Sequence, residues 1–74
     1  MTQFSENIKL FRKSKNLTQK QISEIIGIGE RAYQYYEAGS REPNMETLIK
    51  IADVLDVSTD FLLGRTAKNN SHKL

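Results

Sequence analysis

The residues best suited to chemistry lie in one short run, "ERAYQYYE", Glu30 to Glu37. On a helix, residues three and four apart share a face, so Glu30, Arg31, Gln34 and Tyr35 would stand together. That face would carry a fork of N–H donors, an amide that donates and accepts, a carboxylate and a phenol. Such a set is suited to forming hydrogen bonds rather than to activating a nucleophile. Its groups match base edges in a major groove. Arg31 fits guanine O6 and N7, Gln34 fits adenine, and Glu30 accepts from cytosine N4. Tyr35 offers an apolar face to a thymine methyl and a hydroxyl to a phosphate. Each has a plainer reading. Arg31 can hold a phosphate or stand free in solvent. Glu30 can screen against wrong sequences or complement the positive end of its helix. Gln34 can hold a phosphate. Tyr33 and Tyr36 are expected in the core, with their hydroxyls reaching the surface. Base stacking by three tyrosines is disfavoured, because helical spacing points them to different sides.

Little else in the chain can do chemistry. There is no Cys, hence no disulfide and no thiolate metal site. His72 stands alone among polar residues, so neither a metal nor a cofactor is expected. No glycine loop cradles phosphate and no carboxylates pair, which leaves no basis for an enzyme. A chain of 74 residues is read as one domain with a single small core. Its apolar runs are too short to span a bilayer. The start "MTQFSENIK" lacks the layout of a signal peptide, and a cytoplasmic location is expected. The net charge of +2 is unevenly spread. Residues 1–20 hold five basic side chains against Glu6, and residues 21–64 hold three against eight acids. A polyanion would therefore meet selected faces rather than a basic coat.

The elements that must position the run are helices. About Thr2 to Lys15, Phe4, Ile8 and Phe11 recur at helical spacing, with basic residues in the last turns. Asn16 tolerates the left-handed conformation and can end this helix. In "LTQKQ", Thr18 and Gln21 form a capping box, and Leu17 with Ile22 form a hydrophobic staple. The second helix then has Ile22, Ile25 and Ile26 as its inward side and stops at Gly27. A turn this tight between packed helices needs positive φ. Gly29 falls at the cap of a third helix, Glu30 to about Ala38, and Gly39 follows its end. "SREPN" is a loop. Asn44 caps a fourth helix, about Met45 to Leu55, with Leu48, Ile51, Ala52 and Leu55 buried. "DVS" links to a last short helix capped by Ser58 and ended by Gly64. No strand pattern or repeat appears. The expected class is all-α: a compact five-helix domain at 1–64, a helix-turn-helix unit at 18–38, and a polar, flexible tail at 65–74. Within the helix-turn-helix unit the core-facing positions are Ile22, Ile26, Ile28, Tyr33 and Tyr36.

"LTQKQISEIIG", "YYEAGSREPNMETLIKIADVLDVSTDFLLG" and the basic first helix together resemble the Cro/CI-type helix-turn-helix regulators, the XRE family. The resemblance covers about Ile8 to Leu63. It implies a lambda-repressor-like domain that binds double-stranded DNA, a repressor acting as a homodimer on a near-palindromic operator. Helix three would enter the major groove with base contacts from Glu30, Arg31, Gln34 and Tyr35. Gln19, Ser40, Arg41 and Asn44 would contact phosphates. Arg12 and Glu37 would form a buried or half-buried salt bridge between helices one and three. Val57, Phe61 and Leu62 would form the dimer surface. Gly29 departs from the usual Ser or Thr cap, Ser23 from a frequent Ala, and Tyr33 and Tyr36 from smaller aliphatics. The alternative is a protein-interaction module, such as an antitoxin or anti-repressor, whose regulatory partner is another protein.

Overall fold

The computed structural model describes residues 2–66. His72 and most of the 65–74 tail lie outside them. Five helices follow in order: α1 Gln3–Ser14, α2 Gln19–Ile26, α3 Glu30–Ala38, α4 Met45–Leu55 and α5 Thr59–Leu62. No strand occurs among the described residues. No described helix is long and apolar enough to cross a membrane.

Each start has a local cause. Four of the five helices begin on a side-chain oxygen that accepts an orphan backbone N–H: Thr2, Thr18, Asn44 and Ser58. Thr18 and Gln21 exchange bonds of 3.0 and 2.8 Å. A second reciprocal box joins Thr2 and the buried Ser5. The exception is α3, where Gly29 offers no side chain. Ends are equally regular. Asn16, Gly27, Gly39, Asp56 and Gly64 all have φ between 57° and 80°. Behind them the backbone folds back to bond the last turn, as from Ser40 N–H to the Tyr35 carbonyl at 3.1 Å. Asp56 is the surprise. The "DVS" link holds a left-handed non-glycine residue that closes α4.

The core is built by all five helices. Phe4 and Ile8 of α1, Ile22 and Ile26 of α2, Tyr33 of α3 and Ile51 with Leu55 of α4 meet there, with Leu62 of α5. Ile28 and Tyr36 are half-buried against this cluster. Ile25 does not face inward and is 59% exposed. Eight residues make barely two turns, and Ile22 with Ile26 already fill the inward stripe. Ile25 lies to one side, over a shallow hollow lined by Leu17, Gln21 and Glu24. α1 is tied to α5 by Asn7, whose amide donates to the carbonyls of Phe61 and Leu62 at 3.2 and 3.1 Å.

The corner between α2 and α3 depends on Gly27. Its φ is 80°, and a Cβ placed there would meet nothing within 4 Å. The cost of Gly27→Ala is therefore conformational and not steric. A loss of about 1–2 kcal/mol is expected, read as a lower urea midpoint with an unchanged slope. A neutral result would mean the corner relaxes to another conformation.

Candidate nucleic-acid interface

α3 is divided along its length. Tyr33 is fully buried and Glu37 nearly so, whereas Glu30, Arg31 and Gln34 are exposed. Tyr35 and Tyr36 are half-buried. The Gln34 amide lies 3.5 Å from the Glu30 carboxylate, the limit of a hydrogen bond and one helical turn away. The exposed side is thus a continuous polar face, next to the turn that carries Ser40 and Arg41.

The buried side is fixed by a charged network. Arg12 Nε donates to Glu37 Oε2 at 2.6 Å and Arg12 Nη2 to Oε1 at 3.1 Å. This two-pronged pairing joins α1 to α3 with both residues under 10% exposed. Arg12 Nη1 also donates to the Leu17 carbonyl at 2.7 Å, which holds the α1–α2 turn. Gln19 Nε2 donates to Glu37 Oε1 at 3.0 Å, so the start of α2 joins the same carboxylate. Three helices converge on Glu37. The Gln19 link has no sequence signal, since the two residues lie far apart in the chain. The Tyr33 hydroxyl faces this pair from within the core and does not reach the surface, contrary to expectation. α3 packs too deeply for the phenol to clear its neighbours, and Oη makes no hydrogen bond. Its influence on the pair is electrostatic.

Burial alone would raise the Glu37 pKa. Hydrogen bonding from Arg12, then the electrostatic influence of the nearby Tyr33 phenol and the hydrogen bond from Gln19, outweighs it, and Glu37 ends below the ordinary carboxylate value. The carboxylate in turn raises Arg12. Burial, followed by the same carboxylate, pushes Tyr33 well above its usual value, so it stays a neutral phenol. A depressed folded-state pKa means that stability is present above the unfolded value, about 4.3. It is lost as pH falls through the lower folded value. The acid limb of stability should steepen below about pH 4. In Glu37→Gln that limb should be shallower, though the variant is weaker at pH 7. Equal acid slopes would remove Glu37 as the titrating group.

The remaining candidates are placed as follows. Ser40 and Arg41 are exposed in the turn after α3. Ser40 Oγ donates to the Tyr35 carbonyl at 3.3 Å. The Arg41 guanidinium carbon stands 4.8 Å from the centre of the Tyr35 ring, a stack that depends on loop conformation and has no sequence signature. Asn44 is exposed, but its side-chain oxygen already accepts the Thr47 N–H at 2.8 Å, leaving its amide N–H groups for a ligand. Val57 and Leu62 are 3% and 0% exposed and belong to the core of this chain. A dimer surface using their side chains is therefore corrected. Of the three residues named for it, only Phe61 keeps part of its surface, and it packs on Phe11 with ring centres 5.2 Å apart. Among the described residues no cluster of three His, Asp or Glu could hold a metal.

Comparison with known proteins identifies the family and the fold. A family model described as helix-turn-helix matches residues 8–62. The chain is 55% identical over 60 residues to the uncharacterized HTH-type transcriptional regulator YqaE of Bacillus subtilis, covering 81% of this chain and 52% of that one. It is 46% identical over 63 residues to the cryptic phage CTXphi transcriptional repressor RstR of Vibrio cholerae, covering 85% and 56%. The chain thus spans about half the length of the curated relatives it matches. Among solved structures it is similar to the P22 c2 repressor in complex with a synthetic operator. The TM-score is 0.78 at 30% identity, over 81% of this chain and 91% of that one.

Proposed function

The chain belongs to the Cro/CI-type helix-turn-helix family, and on that premise we propose that it is a DNA-binding repressor that reads a near-palindromic operator as a homodimer. The observation that carries this is the division of α3, whose exposed Glu30, Arg31 and Gln34 stand opposite a side locked to α1 and α2 through Glu37. A helix that reads base edges needs both halves. One face must be free to enter a groove about 12 Å wide, and the other must be held in one orientation. Arg31 reads guanine, and Glu30 and Gln34 read neighbouring bases. Gln19, Ser40, Arg41 and Asn44 fix register on phosphates without carrying sequence information. The family does not act by catalysis, and no enzymatic role is assigned.

The dimer would set two copies of α3 about one helical turn of DNA apart, roughly 34 Å. The part-exposed Phe61 and its neighbour Leu63, 42% exposed, supply its apolar contact. Val57 and Leu62 support that contact from beneath.

The test is duplex binding over a range of salt. A regulator that neutralises phosphates loses affinity linearly in log salt, by about 0.9 per phosphate. A steep loss supports the reading. Binding that ignores salt, or fails at low salt, points to the protein-interaction module instead.

A further inference from the structure

We propose that Tyr35 is a platform for Arg41, so that the two act as one phosphate-gripping unit and Tyr35 does not itself read a base. This rests on the DNA-binding reading above and changes the role of one residue within it. The observation is the stack of the Arg41 guanidinium on the Tyr35 ring at 4.8 Å. The backbone reinforces it. The Tyr35 carbonyl accepts from Ser40 N–H at 3.1 Å, Arg41 N–H at 3.4 Å and Ser40 Oγ at 3.3 Å. The turn is folded back over the residue whose ring it covers.

The chemistry favours a division of labour. Stacking occupies the flat face of a guanidinium and leaves the donors in its plane free. Those donors are the groups that grip a phosphate in two places. The same stack occupies one of the two ring faces that could meet a thymine methyl. Arg41 is an exposed side chain at the end of a turn, and freezing such a chain costs rotamer entropy on binding. A stack made before DNA arrives removes part of that cost. The expected contribution is that of an exposed cation–π pair, roughly two- to five-fold in affinity.

The experiment compares the full chain with Tyr35→Phe, Tyr35→Leu, Arg41→Gln and the Tyr35→Leu/Arg41→Gln double variant. Each is titrated against a pool of random-sequence duplex DNA and against the sequence best enriched from that pool, across salt. Tyr35→Phe should lose clearly less affinity than Tyr35→Leu, because the ring carries the stack. Tyr35→Leu should weaken both DNAs by the same two- to five-fold. Arg41→Gln should weaken both and flatten the salt slope by about 0.9. The double variant should be no weaker than Arg41→Gln. In the free protein, the Arg41 side-chain protons should carry a ring-current shift that Tyr35→Leu abolishes and Tyr35→Phe keeps.

Three results would overturn the proposal. One is a Tyr35→Leu loss confined to the enriched sequence, which would make Tyr35 a base reader. Another is independent, additive losses. The third is a Tyr35→Phe loss as large as Tyr35→Leu, which would assign the work to the hydroxyl. Failure of the parent chain to bind either DNA would sink the DNA-binding reading and this one with it. Failure of the coupling alone, with the parent binding normally, would sink only this one.

Discussion

Glu37→Ala is expected to be the most damaging single substitution, at about 3–5 kcal/mol. That is a large share of the roughly 5–15 kcal/mol by which a domain is stable. The cause is what the substitution leaves behind. Arg12, 8% exposed, would keep only the Leu17 carbonyl, and its charge would lie beside the unbonded Tyr33 hydroxyl. Gln19 would lose its acceptor. Removing both charges is a different matter. Arg12→Met combined with Glu37→Leu takes away the buried charge instead of stranding it, and should recover much of the loss. The recovered protein should nonetheless discriminate less well between DNA sequences, because α3 would no longer be aimed by bonds to α1 and α2. Urea denaturation at pH 7 checks the first part. A Glu37→Ala loss under about 1 kcal/mol, or a double variant no better than the single one, would contradict it.

Arg31→Ala should leave stability almost untouched, since Arg31 is exposed and substitutions at such positions usually stay within about 0.5 kcal/mol. Its effect should fall on recognition. A two-pronged Arg–guanine contact is worth about 1–3 kcal/mol of discrimination. The variant should therefore bind the preferred sequence roughly 5- to 150-fold less well, while its affinity for other sequences changes little. The base preference should relax at one position of each half-site. Arg41→Gln provides the contrast, weakening all sequences alike. If Arg31→Ala behaves in that uniform way instead, Arg31 holds a phosphate and the base-reading role passes to Gln34 or Glu30.

The parts of this fold that are legible in sequence are those with local causes. Helix starts at Thr18, Asn44 and Ser58 follow from a cap acting three residues ahead. The ends at Asn16, Gly27 and Gly39 follow from residue types that accept positive φ. Asp56 has the same conformation but a less telling residue type, so the end of α4 reads only as a link. Ile25 shows the limit of periodicity, since eight residues cannot separate a two-residue inward stripe from its flank. The Arg12–Glu37 pair is 25 residues apart in sequence, and family resemblance suggests it where spacing does not. Apolar content at Val57 and Leu62 cannot separate a core from an interface, and packing assigns both to the core. The Asn7 bonds to α5, the Gln19 bond to Glu37 and the Arg41 stack arise only once distant segments meet. The polar face of α3 is the opposite case, because helical spacing alone collects Glu30, Arg31 and Gln34 on one side.

In the proposed function, the exposed face of α3 reads base edges from a symmetric pair of subunits. This role is tested most directly by selecting from a random duplex library with the intact chain, in parallel with Arg31→Ala. One two-fold-symmetric sequence should be enriched, its half-site centres about one helical turn apart, with preference lost at one base per half-site in the variant. Failure to enrich any sequence at low salt would contradict that role, whereas undiminished preference by Arg31→Ala would move the reading from Arg31 to Gln34 or Glu30 on the same face.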